Sequence, residues 1–144
     1  EKVTPQGFRI SDAACHYGVG FDSMFTCFHY DGRNEAETRA RQRVAPRVME
    51  AGDGFCWTEL VGPRTTPCFA LERLDVTGEM PFPSADGTFC GLFVLSGRGA
   101  LETAAGVAPI GPGDQFFVPA ACGAFRIRAE APLALFLARP PLKR

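Results

Sequence analysis

Residues 111–120 read GPGDQFFVPA. Gly113 suits a turn that needs a positive φ, and Asp114 can hydrogen-bond the backbone of its own turn. Pro119 suits the end of a strand, where no ladder donor is required. The stretch therefore predicts a tight turn, a short strand over DQFFVPA and a strand end. Gly97, in VLSG at 94–97, suits a second turn of the same kind.

From residue 55 onward this punctuation recurs. Runs rich in β-branched, aromatic and aliphatic residues are FCWTEL, CFALERLDV, TFCGLFVL, GALETA, DQFFVPA, AFRIRAE and LALFLA. Gly and Pro separate them at intervals of about eight to twelve residues. In AFRIRAE, Phe125 and Ile127 face one way and Arg126 and Arg128 the other. No helical crossover is available for a parallel sheet, so the pattern predicts a mainly β sandwich or barrel.

The first third reads differently. Phe21, Met24, Phe25 and Phe28 fall at i, i+3, i+4 and i+7, one face of a helix. After the turn at Asp31-Gly32, Ala36, Ala40 and Val44 form a stripe on a second helix. Glu35 with Arg39 and Glu37 with Arg41 stand in the favourable Glu-first order. Pro46 disfavours helix at Ala45, so that helix should stop near there. The expected division is a helical arm over residues 1–50 packing on a β barrel over residues 51–144.

The 144 residues are 46% hydrophobic and 22% charged, enough for one globular domain with an added arm. The formal charge is −1 and no Lys/Arg block occurs. The term that dominates nucleic-acid affinity is missing, as is a polybasic membrane patch. No apolar run reaches the roughly 20 residues that span a bilayer. The N-terminus has no apolar signal-peptide core and begins with Glu1, so a fragment of a longer chain or a trimmed one is expected. Cys15, Cys27, Cys56, Cys68, Cys90 and Cys122 are scattered singly. Free thiols in a reducing cytoplasm are the expectation, and a structural zinc site is not.

Residues 92–119, LFVLSGRGALETAAGVAPIGPGDQFFVP, resemble the cupin family of double-sheet jelly rolls. The likeness is carried by the strand end at 94–97, the small-residue turn, and Gly113-Asp114 leading to Pro119. Metal-binding cupins carry His-x-His and Glu in the first motif and His in the second. On this resemblance the Glu position falls on Cys90, the paired His positions among Pro83, Ser84, Ala85 and Asp86, and the last on Ala124. No imidazole remains, which implies a metal-free barrel. His16 and His29 lie in or beside the arm, where structural or solvated roles are expected. Ser96 reads as a turn serine without a base at fixed spacing, and GRGALETAAG opens no helix, so it is a weak phosphate loop.

Taken over residues 20–138, the segments GVGFDSMFTCFHYDG, ELVGPRTTPCFALERLDVTGEM and GDQFFVPAACGAFRI are together similar to the C-terminal part of type I mannose-6-phosphate isomerases. That resemblance implies two barrels in the parent protein. An upstream barrel would hold zinc and interconvert mannose 6-phosphate and fructose 6-phosphate; this barrel would support it and be inactive alone. No residue here inherits a catalytic, cofactor or metal role, and Arg9, in GFRISD, does not carry the family's catalytic pattern. The expected partner is the upstream catalytic domain or a second copy of the chain.

The alternative is a free-standing metal-free cupin that binds a small sugar or sugar phosphate, or serves as a dimerisation module. Gln115, Arg126 and Arg128 are the candidates to hold an anion in its mouth. A core filled by Phe89, Phe93, Phe116, Phe117 and Phe125 would leave no room for one. With 13 Phe in the chain, that filled core is the expectation.

Overall fold

The computed structural model describes residues 2–3, 6–7, 9–28, 30–83 and 87–141. They belong to two compact units, Glu1–Gln42 and Arg43–Arg144.

In the first unit, β1 (Lys2–Val3) pairs antiparallel with β2 (Arg9–Ile10). Three short helices follow: α1 (Asp12–Cys15), α2 (Phe21–Phe25) and α3 (Glu35–Gln42). The stripe from Phe21 to Phe28 predicted a longer α2. The helix stops early, where the Thr26 hydroxyl donates to the Ser23 carbonyl at 2.7 Å. Thr, Cys and Phe are weak helix formers, so little favours another turn. In α3 the pair Glu35–Arg39 forms as expected. Glu37, expected to pair with Arg41, turns back instead and closes a capping box. Its N–H donates to Asn34 Oδ1 at 3.0 Å, and Asn34 N–H donates to its carboxylate at 3.1 Å.

The second unit holds β3 (Arg47–Gly52), β4 (Phe55–Val61), β5 (Ala70–Val76), β6 (Glu79–Phe82), β7 (Cys90–Thr103), β8 (Gly106–Ile110), β9 (Gln115–Val118) and β10 (Phe125–Arg139). Their order is β3-β4-β5-β10-β7-β8, with β6 added to β10 and β9 to β7. All pairings among the described residues are antiparallel. The unit is a mainly β, cupin-like jelly roll. Residues 47–50, assigned from sequence to the arm, begin the β3 edge strand.

Two strands are longer than the sequence pattern predicted. TFCGLFVL and GALETA join into β7, and AFRIRAE and LALFLA join into β10. Gly97 absorbs the bend in β7 at φ 86° without ending the strand. Opposite it the β10 register slips between Ala129 and Ala134, and Pro132 sits inside that slip, where no ladder donor is needed. The bend lets both limbs share one core: Leu92 and Val94 meet Leu101, and Phe125 and Ile127 meet Leu133, Leu135 and Leu137. In this unit β3, β6 and β8 are strands that the sequence pattern did not predict. The last two contain Pro81 and Pro109; both strands pair on one side only, where proline is tolerated.

The expected turn chemistry around 111–119 is present. Gly113 has φ 88°, Gly111 N–H donates to Asp114 Oδ2 at 2.8 Å, and β9 ends immediately before Pro119. The expected phenylalanine filling is not. Of the five Phe named, Phe125 is buried and Phe116 packs partly, whereas Phe89, Phe93 and Phe117 are exposed. Period-two alternation explains it: Leu92, Val94 and Val118 take the inward positions and leave Phe93 and Phe117 outside. No helix among the described residues is long and apolar enough to cross a membrane.

Candidate functional site

At one end of the jelly roll the inward stripe changes from apolar to charged. Along β5 the buried positions are Ala70, Glu72, Leu74 and Val76. Along β10 the inward series Leu133, Leu135 and Leu137 ends in Arg139. On β4, Trp57 and Glu59 occupy the same face, and Glu59 lies directly opposite both Arg47 of β3 and Glu72 of β5. Two carboxylates side by side, 5% and 1% exposed, are a costly arrangement unless cations answer them.

They do. Glu72 accepts from Trp57 Nε1–H at 2.9 Å and from the Arg139 guanidinium. The Arg139 guanidinium also lies 5.7 Å from the centre of the Trp57 ring, within cation–π range. Glu59 accepts from Arg64 at 3.1 and 3.3 Å and from Arg47 at 3.5 Å. Arg64 reaches it because Thr65 N–H and Thr66 N–H both bond Gly62 O and fold the loop back. Gly62 leaves room for this arrangement: a Cβ there would stand 2.2 Å from a Glu59 carboxylate oxygen, which would have to shift. Above the cluster lies a cavity of about 360 Å³, walled by Met49, Pro63, Pro67, Phe69 and Pro140.

The residues proposed from sequence lie elsewhere. Arg126 and Arg128 are exposed on β10 and ion-paired, to Glu79 at 3.3 Å and Glu102 at 3.1 Å. They alternate with the buried Phe125 and Ile127, so they point away from the core. Gln115 lines an outer apolar groove with Leu71, Phe93, Phe117 and Phe136. The structure therefore does not bring these three into one pocket. Among the described residues, the signal for the observed cluster was present but unread. In ALERLDV a glutamate falls in phase with Ala70, Leu74 and Val76, and in LALFLAR an arginine falls in phase with three leucines.

Of the positions matching cupin metal ligands, Ser84, Ala85 and Asp86, like His29, lie outside the described residues. Pro83 and Ala124 offer no donor. Cys90 is fully buried, one step beyond the Gly91–Ala138 pair and so beside Arg139. Burial pushes its thiol up to about 11, with Arg139 pulling down and Cys122 and Glu72 adding to the rise. A metal needs the thiolate, and Glu72, the carboxylate that acts on this thiol, is already held by Arg139 and Trp57. Among the described residues this donor set does not fit a zinc ion. No group of three His, Cys, Asp or Glu side chains converges among the described residues. His16 takes a local role, its Nδ1 accepting from Gly20 N–H at 3.1 Å.

Comparison with known proteins adds three findings. The family described as mannose-6-phosphate isomerase, cupin domain, matches residues 63–137. No curated protein matches the chain. Among solved structures, mannose 6-phosphate isomerase from Bacillus subtilis is similar at TM-score 0.59 and 19% identity, over 95% of this chain and 37% of that one. Ectoine synthase from P. lautus is similar at TM-score 0.57 and 16% identity, over 64% of this chain and 67% of that one. The polyketide cyclase RemF from Streptomyces resistomycificus is similar at TM-score 0.54 and 20% identity, over 69% and 75%. At these identities the likeness is one of fold, and the chain spans little more than a third of the length of the Bacillus enzyme.

Proposed function

This chain belongs to the mannose-6-phosphate isomerase cupin-domain family, and we propose that it serves as the metal-free, non-catalytic cupin domain of a mannose-6-phosphate isomerase-like protein. In such a protein the aldose–ketose proton transfer takes place in another barrel, where zinc polarises the substrate oxygens as a Lewis acid. The observation that carries the reading is the Glu72–Arg139–Trp57 contact at the barrel mouth. It sets a fixed cation beside Cys90, the position the family resemblance assigns to a ligand.

The domain contributes packing and shape. Both mouth carboxylates are held by arginine or tryptophan donors, which leaves neither poised to move a substrate proton. The apolar outer groove of Leu71, Phe93, Phe117 and Phe136 supports a packing role, since it offers a surface for the zinc-binding barrel or a second copy. The six free thiols support a reducing, cytoplasmic location.

The purified chain, supplied with zinc and mannose 6-phosphate, is expected to form no fructose 6-phosphate above the zinc-only blank. Turnover that scales with protein concentration would overturn the reading.

A further inference from the structure

We propose that the cavity at the barrel mouth binds a small organic carboxylate with an apolar body. The inference stands apart from the isomerase reading; it uses only the residues that line the cavity and the charges beneath it.

The charge count comes first. Arg47, Arg64 and Arg139 face Glu59 and Glu72, so the cluster holds one cation in excess. That excess sits at the rim. Arg64 already spends Nε and one Nη on Glu59, whereas Arg47 makes a single contact to it at 3.5 Å, the outer limit of a hydrogen bond. The same Arg47 nitrogen otherwise faces only the Met49 sulfur, a weak acceptor. A guanidinium carries five N–H donors, and the Arg47 side chain is 48% exposed, so its remaining donors are free to meet an incoming anion. On the floor, the buried Arg139 Nε has no partner, so the guanidinium beneath the cavity is short of acceptors. Thr66 adds a hydroxyl that accepts from Cys68 N–H and keeps its own proton to donate.

The walls choose the rest of the ligand. Met49, Pro63, Pro67, Phe69 and Pro140 present carbon and sulfur, with few groups to answer sugar hydroxyls. A phosphate monoester carries about −1.5 to −2 at neutral pH, more than one excess cation balances. A carboxylate carries −1. A cavity of about 360 Å³ lies at the small end of the range for ligand pockets, which suits a compact ring or short branched chain.

The test uses cyclohexanecarboxylate as probe. Trp57, the only tryptophan in the chain, touches both Glu72 and Arg139, so its fluorescence reports on the site, and calorimetry gives an independent readout. The carboxylate is expected to bind saturably, and more weakly as salt is raised. Cyclohexylmethanol, inorganic phosphate and mannose 6-phosphate are expected to bind at least tenfold more weakly. Arg47→Gln should weaken the carboxylate about ten- to a hundredfold, the loss of one charge-assisted hydrogen bond. Arg64→Gln, at another rim position 57% exposed, is the second variant should the first fail to fold. No saturable carboxylate binding by either readout overturns the proposal. So does equal binding of the alcohol, tighter binding of phosphate or the sugar phosphate, or unchanged affinity in folded rim variants.

Discussion

Glu72 is 1% exposed, faces Glu59 across the β4–β5 pairing, and is answered only by Arg139 and Trp57. Burying a carboxylate this deeply is costly, and removing its partner costs more than the pair was worth. Arg139→Leu alone is therefore expected to lower unfolding stability by about 3–5 kcal/mol. Glu72→Leu together with Arg139→Leu should recover most of that loss. Urea unfolding of the two variants checks it, and a double variant no more stable than the single one would contradict the ion-pair account. Cys90 gives a second handle. Its folded-state thiol is raised to about 11, so it contributes stability below the ordinary thiol value, and that contribution is lost as pH rises from about 9 to about 11. The fall in stability over that window should be smaller in Cys90→Val than in the parent chain. These residues were legible only in part. The phase of Glu72 and Arg139 with their apolar neighbours can be read from the sequence, but their meeting requires the β5–β10 register, which joins residues about 65 positions apart.

The long strands β7 and β10 hold this arrangement together, because each serves both limbs of the jelly roll. Their bend depends on Gly97. At φ 86° an added Cβ would stand 2.0 Å from the Pro132 carbonyl oxygen, and that neighbour is backbone in the partner strand. Gly97→Ala is expected to destabilise the unit by several kcal/mol, combining a left-handed backbone with a clash that only strand separation relieves. Thermal unfolding tests it; a loss below about 1 kcal/mol would mean that the strands adjust freely. Strand existence was readable here because turn residues and alternation agree, as at Gly113, Asp114 and Val118. Strand extent was not. Glycine reads as a terminator in a local pattern, and only the register slip opposite shows that Gly97 bends a continuous strand. β6 and β8 are short and carry Pro81 and Pro109, which one-sided pairing accommodates.

For the second unit, family and fold converge on a cupin-like jelly roll, at one end of which Arg139 and Trp57 hold the buried Glu72. The resemblance read from residues 20–138 finds its match over residues 63–137. The filling of the interior was misread because Phe count says nothing about phase: Leu, Val and Met took the inward positions, and Phe117 is left 68% exposed. If the chain is the supporting domain proposed above, it is expected to run as a monomer across a hundredfold dilution in size-exclusion chromatography. A dimer that persists on dilution would favour a self-assembly module. The decisive measurement is a calorimetric zinc titration of the chain with its thiols kept reduced. A mouth built on a protonated Cys90 and an Arg139–Glu72 pair should give no stoichiometric binding at neutral pH. Tight uptake of one zinc ion, lost in Cys90→Val, would show that the barrel keeps a metal site and would contradict the account.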